Sequence, residues 1–306
     1  MAESLRYLLA SVGLGAVAYW GSEAMFWGFP PPGQDVAEIV GTGCANAFAA
    51  ACALSLTILT GVRGLAALVL GGAVLGFVVE GVVVGTMYEN FPWQIVWTPL
   101  AWHMPVTALA VFGLNRRLQG AAAWRHAGAF IGVGLLGRLM SGYWPGERPA
   151  LPGTAAIWAY QAGAGVAAAA GFALLSALGR LPAPPKPVLW SAPGLAVLFW
   201  LAQTIAAPGL VRLAFPAMAG LTLWAMWRLA PQGPVGRVGL RLGLPVPLWR
   251  HLVFLIAPAL VAAIAAHLVA GMPGFDSSAL LALTLGPAGL GLWLWFLWRA
   301  WRSAVS

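Results

Sequence analysis

Apolar runs of close to 20 residues follow one another along almost the whole chain, separated by short stretches of Pro, Gly and Arg. A helix rises about 1.5 Å per residue, so about 20 residues cross the ~30 Å hydrocarbon core of a bilayer. Backbone in lipid has no water to bond, which leaves helices and closed barrels as the spanning forms, and runs of this length fit helices. The composition excludes a soluble core in a polar coat: 61% of the residues are hydrophobic and 8% charged, against about 25% charged in soluble domains. The 17 Trp and 39 Gly fit the same class, since Trp anchors at interfaces and Gly lets helices approach closely. The expected fold class is all-α, a polytopic helical membrane protein forming one integral membrane domain over residues 1–306.

Ten spans are predicted, at 5–27, 38–60, 64–88, 92–114, 121–143, 154–179, 187–206, 208–229, 249–271 and 278–301. The run from Pro187 to Leu229 is too long for one span and carries Pro208-Gly209 in its middle, which reads as a tight hairpin. No small-x-small cleavage site follows residues 5–20, and Trp20, Phe26 and Trp27 read as an interfacial anchor, so the first run is taken as an uncleaved helix. Charge supports the count. With the N-terminus inside, Arg6, Arg63, Arg116, Arg117, Arg125, Arg180, Lys186, Arg228, Arg237, Arg241, Arg250, Arg299 and Arg302 fall on one side, 13 of the 16 basic residues. Asp35, Glu38, Glu89, Glu147 and Asp276 fall on the other, with Arg148 and Arg212. This is the positive-inside pattern of an inner-membrane protein with both termini in the cytoplasm. The net charge of +8 therefore orients helices, and no basic domain exists to carry nucleic-acid binding.

No connection is long enough for a folded soluble domain. The stretch 230–248 reads as a Pro/Gly-rich linker beside anionic headgroups, and 180–187 as a stiff connection. Cys44 and Cys52 share one helix face about 12 Å apart, too far to bridge, and read as packing residues. Halves 1–150 and 151–306, of five spans each, have opposite topologies without visible sequence similarity, so an inverted repeat is a geometric option only.

Ionisable side chains deep in a bilayer are costly and mark substrate paths, proton relays or catalytic sites. Glu80 lies about 12 Å below the end of the third predicted helix, and His103 about 16 Å into the fourth. A short turn joins the two helices, so they are expected to be antiparallel neighbours that bring Glu80 and His103 together as an acid–base pair. Other polar groups gather toward the same end: Ser22 and Glu23 on the first helix, Tyr88, Asn90 and Gln94 about the turn, Trp102 beside His103, Arg138, Ser141 and Tyr143 on the fifth, Tyr160 and Gln161 on the sixth. The inner halves are almost purely apolar. The expectation is a pocket open to the outside or outer leaflet and closed from the cytoplasm, with Glu80 and His103 reacting and Glu23, Tyr88, Asn90, Gln94, Trp102, Arg138, Tyr160 and Gln161 holding substrate. Pro99 and Pro105 flank His103 and deprive the Ile95 and Ala101 carbonyls of their helical partners, which predicts a deformed segment there. Structural alternatives stand beside these roles. Glu80 as a protonated acid could bond a neighbouring helix, His103 a carbonyl freed by proline, Glu23 and Arg138 could be interfacial, and His126 and His251 read as interfacial groups at inner helix ends; His267 is assigned to neither class.

Glu80-Gly81, Gly85, Tyr88 and Pro99-Leu100-Ala101-Trp102 resemble the Glu…Gly…Tyr…Pro-Leu-Ala-Trp arrangement of membrane carotenoid hydratases of the bacterioruberin pathway. The resemblance covers about residues 80–102. This chain lacks the Phe-Gly pair before the family's Tyr and has a shorter Tyr-to-Trp spacing and more spans. The resemblance implies a cofactor-independent addition of water to an acyclic isoprenoid, with Glu80 as the acid; His103 is outside it. Three functions are therefore weighed: an enzyme acting on a lipid, isoprenoid or other apolar small molecule, a proton-coupled transporter of drug/metabolite-transporter-like layout, and an accessory subunit with membrane protein partners. No spacing of His, Cys or carboxylates points to a metal, no second deep His matches His103 for haem, and no phosphate loop or nucleophile elbow is present, so no cofactor is expected.

Overall fold

Among the described residues, ten long helical segments follow one another. The computed structural model describes residues 2–31, 33–142, 152–231, 240–270 and 276–305. Helix α1 covers residues 3–27 and changes from α to π geometry at Trp20–Ala24. It is followed by α2 (Val36–Thr60), α3 (Gly64–Val83), α4 (Trp93–Leu118), α5 (Ala123–Ser141), α6 (Thr154–Leu178), α7 (Lys186–Ala206), α8 (Leu210–Arg228), α9 (Leu248–Ala270) and α10 (Ser278–Val305). Eight of them, α2, α3, α4 and α6 to α10, are long and apolar enough to cross a membrane. The hairpin expected at Pro208 is present, as α7 ends at Ala206 and a 3-10 turn over Leu210–Leu213 opens α8.

Hydrogen bonds between helix ends show the alternation of direction. At one end Arg6 donates to the carbonyls of Leu178 and Arg180, Arg228 to Ser303, and Arg250 to Gln119 and Ala121. At the other, Gln161 donates to Ala24 and Gly28, Gln203 to Val82, and the Ser277 amide to Gly142. The first is the basic end, and the second carries Asp35, Glu38, Glu89 and Asp276. Glu147, Arg148, Tyr143 and Arg237 lie outside the described residues, as does the Ser141 side chain.

The halves interleave. Helix α1 packs on α2 and α6, α2 on α7, α3 on α4 and α8, α4 on α10, and α9 on α5 and α6. Small residues set these approaches. A Cβ built on Gly76 of α3 would meet the Pro99 carbonyl oxygen of α4 at 2.5 Å, and one on Gly289 of α10 would meet the Leu100 carbonyl oxygen at 2.1 Å. Helix α4 is thus wedged between α3 and α10 at backbone contact distance, which only glycine permits there. Leu70, Phe77, Leu100 and Met104 are fully buried around it.

Two features depart from the sequence reading. The stiff connection expected at 180–187 and the headgroup-side linker expected at 230–248 contribute Arg180–Leu181 (β1) and Leu240–Arg241 (β2), which pair as an antiparallel ribbon over the basic end. Strands of two residues are too short to carry a periodic signal. The cysteines also differ in surroundings, Cys44 being exposed and Cys52 buried, because α2 rests on α1 more closely towards its C-terminal half.

Candidate functional site

Three helices bend out of α geometry where they meet. Residues Trp20–Ala24 of α1, Val79–Val83 of α3 and Trp97–Gly113 of α4 are π-helical. Such segments are rare, cluster at functional sites and place the chain in i→i−5 register. The Met25, Val84 and Leu114 amides accordingly donate to the carbonyls of Trp20, Val79 and Leu109. The deformation foreseen from Pro99 and Pro105 takes this form, spread over 17 residues.

The π segments carry Ser22 and Glu23, Glu80, and His103 and Thr107. His103 Nε2 lies 2.8 Å from Glu80 Oε1, and this is the one ion pair among the described residues. The other imidazole nitrogen, Nδ1, lies 2.8 Å from Ser22 Oγ, which in turn lies 3.0 Å from Thr107 Oγ1. The Thr86 hydroxyl donates to Glu80 Oε2. The result is one hydrogen-bonded series, Thr86–Glu80–His103–Ser22–Thr107, buried except for half-exposed Thr86.

Its chemistry follows from donor and acceptor roles. With Glu80 ionised and His103 neutral, Nε2–H donates to the carboxylate and Nδ1 accepts from Ser22, whose oxygen accepts from Thr107. If His103 gains a proton, Nδ1 becomes a donor and the Ser22 and Thr107 hydroxyls reverse. A network with two polarities of this kind can pass a proton from one end to the other. Glu23 is half-buried beside it, close enough to His103 and Glu80 for charge–charge interaction and in contact with the Asn46 and Trp27 side chains. Glu80 is thus the carboxyl group bonded to the imidazole, and Glu23 acts on the pair through its charge.

The remaining expected residues divide. Trp102 donates from Nε1 to the Gly21 carbonyl at 3.0 Å and meets Phe26 edge-on, pinning α4 to the π turn of α1. Gln161 donates to the Ala24 and Gly28 carbonyls at 2.5 and 3.0 Å and closes the end of α1. Both hold the hydrogen-bonded series in place without joining it. Tyr88 is directed away, its hydroxyl donating to the Gly81 carbonyl at 2.6 Å and its ring lying under Arg212. Asn90 is exposed in the α3–α4 turn at a positive φ of 41°. Gln94 is buried, with its side-chain carbonyl unpartnered among the described residues. Arg138 donates to the Ala265 carbonyl at 3.0 Å, tying α5 to α9, and Tyr160 packs at the edge of the aromatic cluster around Trp20 and Trp102. His126 and His251 were read as interfacial but are fully buried, His126 bonding Asn115 Oδ1 at 2.6 Å and His251 stacking on Phe172. At the second of these, Arg250 turns out to the α4–α5 connection while His251 turns in. His267 is exposed.

Thr107, Thr86 and Asn46 were not singled out in the sequence. A hydroxyl one turn from a buried ionisable residue, as Thr107 is from His103, was the available signal. Thr107 also lines a cavity of about 830 Å³ that runs between α1, α2, α3 and α4 toward the basic end. This is the opposite direction from the pocket expected. The apolar inner halves read as closed packing, yet their small residues, among them Ala50, Ala53, Ala67, Gly71 and Ala108, leave the space unfilled. Among the described residues no group of three or more His, Cys, Asp or Glu could hold a metal ion, and both ring nitrogens of His103 are already engaged. No protein-family model, curated protein or solved structure matches this chain.

Proposed function

We propose that this chain is a ten-span inner-membrane protein, with both termini cytoplasmic, that carries out acid–base chemistry on a lipid- or isoprenoid-type molecule. Glu80 and His103 exchange the proton, and Ser22 and Thr107 carry it to the cavity. The observation that carries this reading is the continuous hydrogen-bonded series from Glu80 to Thr107, ending on an apolar cavity of about 830 Å³. That volume lies within the roughly 300–1,000 Å³ of small-molecule sites. A buried ion pair with apolar surroundings is weak evidence for a stabilising role, and three π segments, of the kind that cluster at functional sites, meet at this one. The carotenoid-hydratase resemblance of residues 80–102 supports the isoprenoid class and makes Glu80 the proton donor.

The test is a deletion strain and its lipid and pigment extract. A precursor should accumulate, disappear with the wild-type chain, and persist with Glu80→Gln or His103→Ala present in the membrane at normal levels. Thr107→Val should act in the same direction, because it cuts the relay at the cavity without touching the ion pair. Full function in both Glu80→Gln and His103→Ala would make the pair structural.

A second reading, proton-coupled transport, is favoured by the packing. Helices α1 and α6, α2 and α7, and α3 and α8 pack as pairs five apart, and α4–α10 is mirrored by α9–α5. Two five-helix repeats of opposite orientation produce such exchange, while α1–α2, α2–α3, α3–α4 and α8–α10 lack counterparts among the described residues. An unchanged extract together with pH-gradient-driven uptake into vesicles would select transport over enzymology.

A further inference from the structure

The cavity has a charged mouth that the relay does not use. Arg63, Arg116, Arg117 and Arg241 line it at the basic end, and among the described residues no Asp or Glu lines it. Arg116 and Arg241 stand close enough to repel each other. Among the described residues none of the four guanidinium groups donates to a protein acceptor or pairs with a carboxylate. Basic residues that only orient helices spread out into the headgroup layer, where repulsion is least. Here four line the mouth of one cavity, and the β1–β2 ribbon folds back to complete the wall with Leu181, Leu240 and Leu242 as well as Arg241. Beyond the arginines the wall down to Thr107 is apolar except for Thr57, whose hydroxyl is turned to the Ala53 carbonyl of its own helix.

We infer that the cavity binds an amphiphile with an anionic headgroup, held by Arg63, Arg116, Arg117 and Arg241, and with its apolar tail reaching toward Thr107. Guanidinium forks match phosphate and carboxylate oxygens, and an anion between Arg116 and Arg241 removes their mutual repulsion. The tail replaces unfilled space between α1, α2, α3 and α4 with apolar contact. This rests on the acid–base reading only for what happens at Thr107, since binding itself needs no proton transfer. It narrows the substrate class to a molecule entering from the basic side, head outward.

The test uses the full chain in a neutral maltoside micelle, with bound lipid counted by native mass spectrometry. Palmitoyl lysophosphatidate should bind saturably, one per chain, about tenfold tighter than palmitoyl lysophosphatidylcholine, which has the same tail and a zwitterionic head. Inorganic phosphate should not compete at equal concentration, because it lacks the tail. Arg116→Gln with Arg241→Gln should remove about that tenfold preference. Ala53→Phe, which fills the cavity, should weaken both lipids. Arg117→Gln provides a second charge variant at an exposed position, should the double variant fail to fold. Equal affinity for the two lipids, competition by phosphate alone, or unchanged binding in the arginine and Ala53→Phe variants would each overturn the inference. Glu80→Gln and His103→Ala should retain binding: loss of cellular function with binding intact concerns the relay, and loss of binding with function intact concerns this site alone.

Discussion

Gly76→Ala should uncouple Glu80 from His103 without touching either. A Cβ at position 76 meets Pro99 O at 2.5 Å and Pro99 Cα at 2.7 Å, all backbone that cannot rotate aside. Reaching the 3.4 Å of ordinary contact requires α3 and α4 to part by about 0.9 Å. Glu80 lies four residues after Gly76 and His103 four after Pro99, so on antiparallel helices the ion pair straddles this contact. Carried fully into the pair, the movement opens 2.8 Å to about 3.7 Å, beyond hydrogen-bonding range. Overpacking of this kind costs ~1–3 kcal/mol, and a hydrogen bond to a charged group is worth ~1.5–3 kcal/mol. Thermal unfolding of the full chain in detergent checks both. Gly76→Ala should melt lower than wild type, whereas Gly71→Ala, whose Cβ meets only Thr57 Oγ1 at 3.5 Å, should not. A double-mutant cycle on Glu80→Gln and His103→Ala should give a coupling energy in wild type that collapses in the Gly76→Ala background. Equal melting of the two glycine variants, or a coupling that survives Gly76→Ala, would refute the reasoning.

Two further outcomes concern the supports. Gln161→Leu takes the side-chain donor from the Gly28 carbonyl, while the Ala24 carbonyl keeps the Gly28 amide, and an unsatisfied buried group costs ~1–3 kcal/mol. The variant should melt lower and show faster amide exchange at residues 24–28, and unchanged exchange would remove the tether from the account. Asp276 accepts from the Ser278 amide at 2.7 Å ahead of α10, and hydrogen bonding to Ser278 holds its carboxyl below the ordinary value. Its contribution is present above the unfolded pKa of about 3.9 and is lost as pH falls through the lower folded value. Acid titration of wild type against Asp276→Asn should show a difference confined to that window, and parallel curves would dismiss it.

The sequence carried the helices and the acid–base pair because both depend on local or hairpin information. Ten apolar runs, charge at alternate connections and one short turn are enough to bring Glu80 and His103 toward each other. It did not carry the neighbours of that pair. Ser22 was visible as a polar residue near one end of α1, yet its bond to His103 depends on how α1 crosses α4, which Gly21 and Thr107 decide at close range. Tyr88 and Arg138 were grouped with the site by depth alone, and depth does not fix which way a side chain faces. The cavity escaped for the converse reason. A run of Ala, Gly and Leu reads as tight packing, and whether small residues close a gap or leave one depends on the partner helix.

The π segments connect these points. In an α-helical register a side chain's facing is fixed by its distance from the last core residue, and the apolar stripe of a spanning helix leaves a polar residue where the stripe puts it. Each π turn adds a residue to the turn and rotates everything beyond it. Residues Trp20–Ala24, Val79–Val83 and Trp97–Gly113 are the π-helical parts of α1, α3 and α4, and they contain Ser22, Glu80, His103 and Thr107. In α4 the proline residues give a local reason, since Pro99 and Pro105 cannot donate in the α ladder. In α1 and α3 no proline is present in the π segment, so tertiary contact must hold the register. The Trp102 indole bonded to Gly21 and the Gly76 approach to Pro99 are the contacts in position to do it. Site geometry and helix packing are therefore one constraint here: the same close crossings that exclude side chains larger than hydrogen at Gly76 also turn an acid, an imidazole and two hydroxyls toward one another.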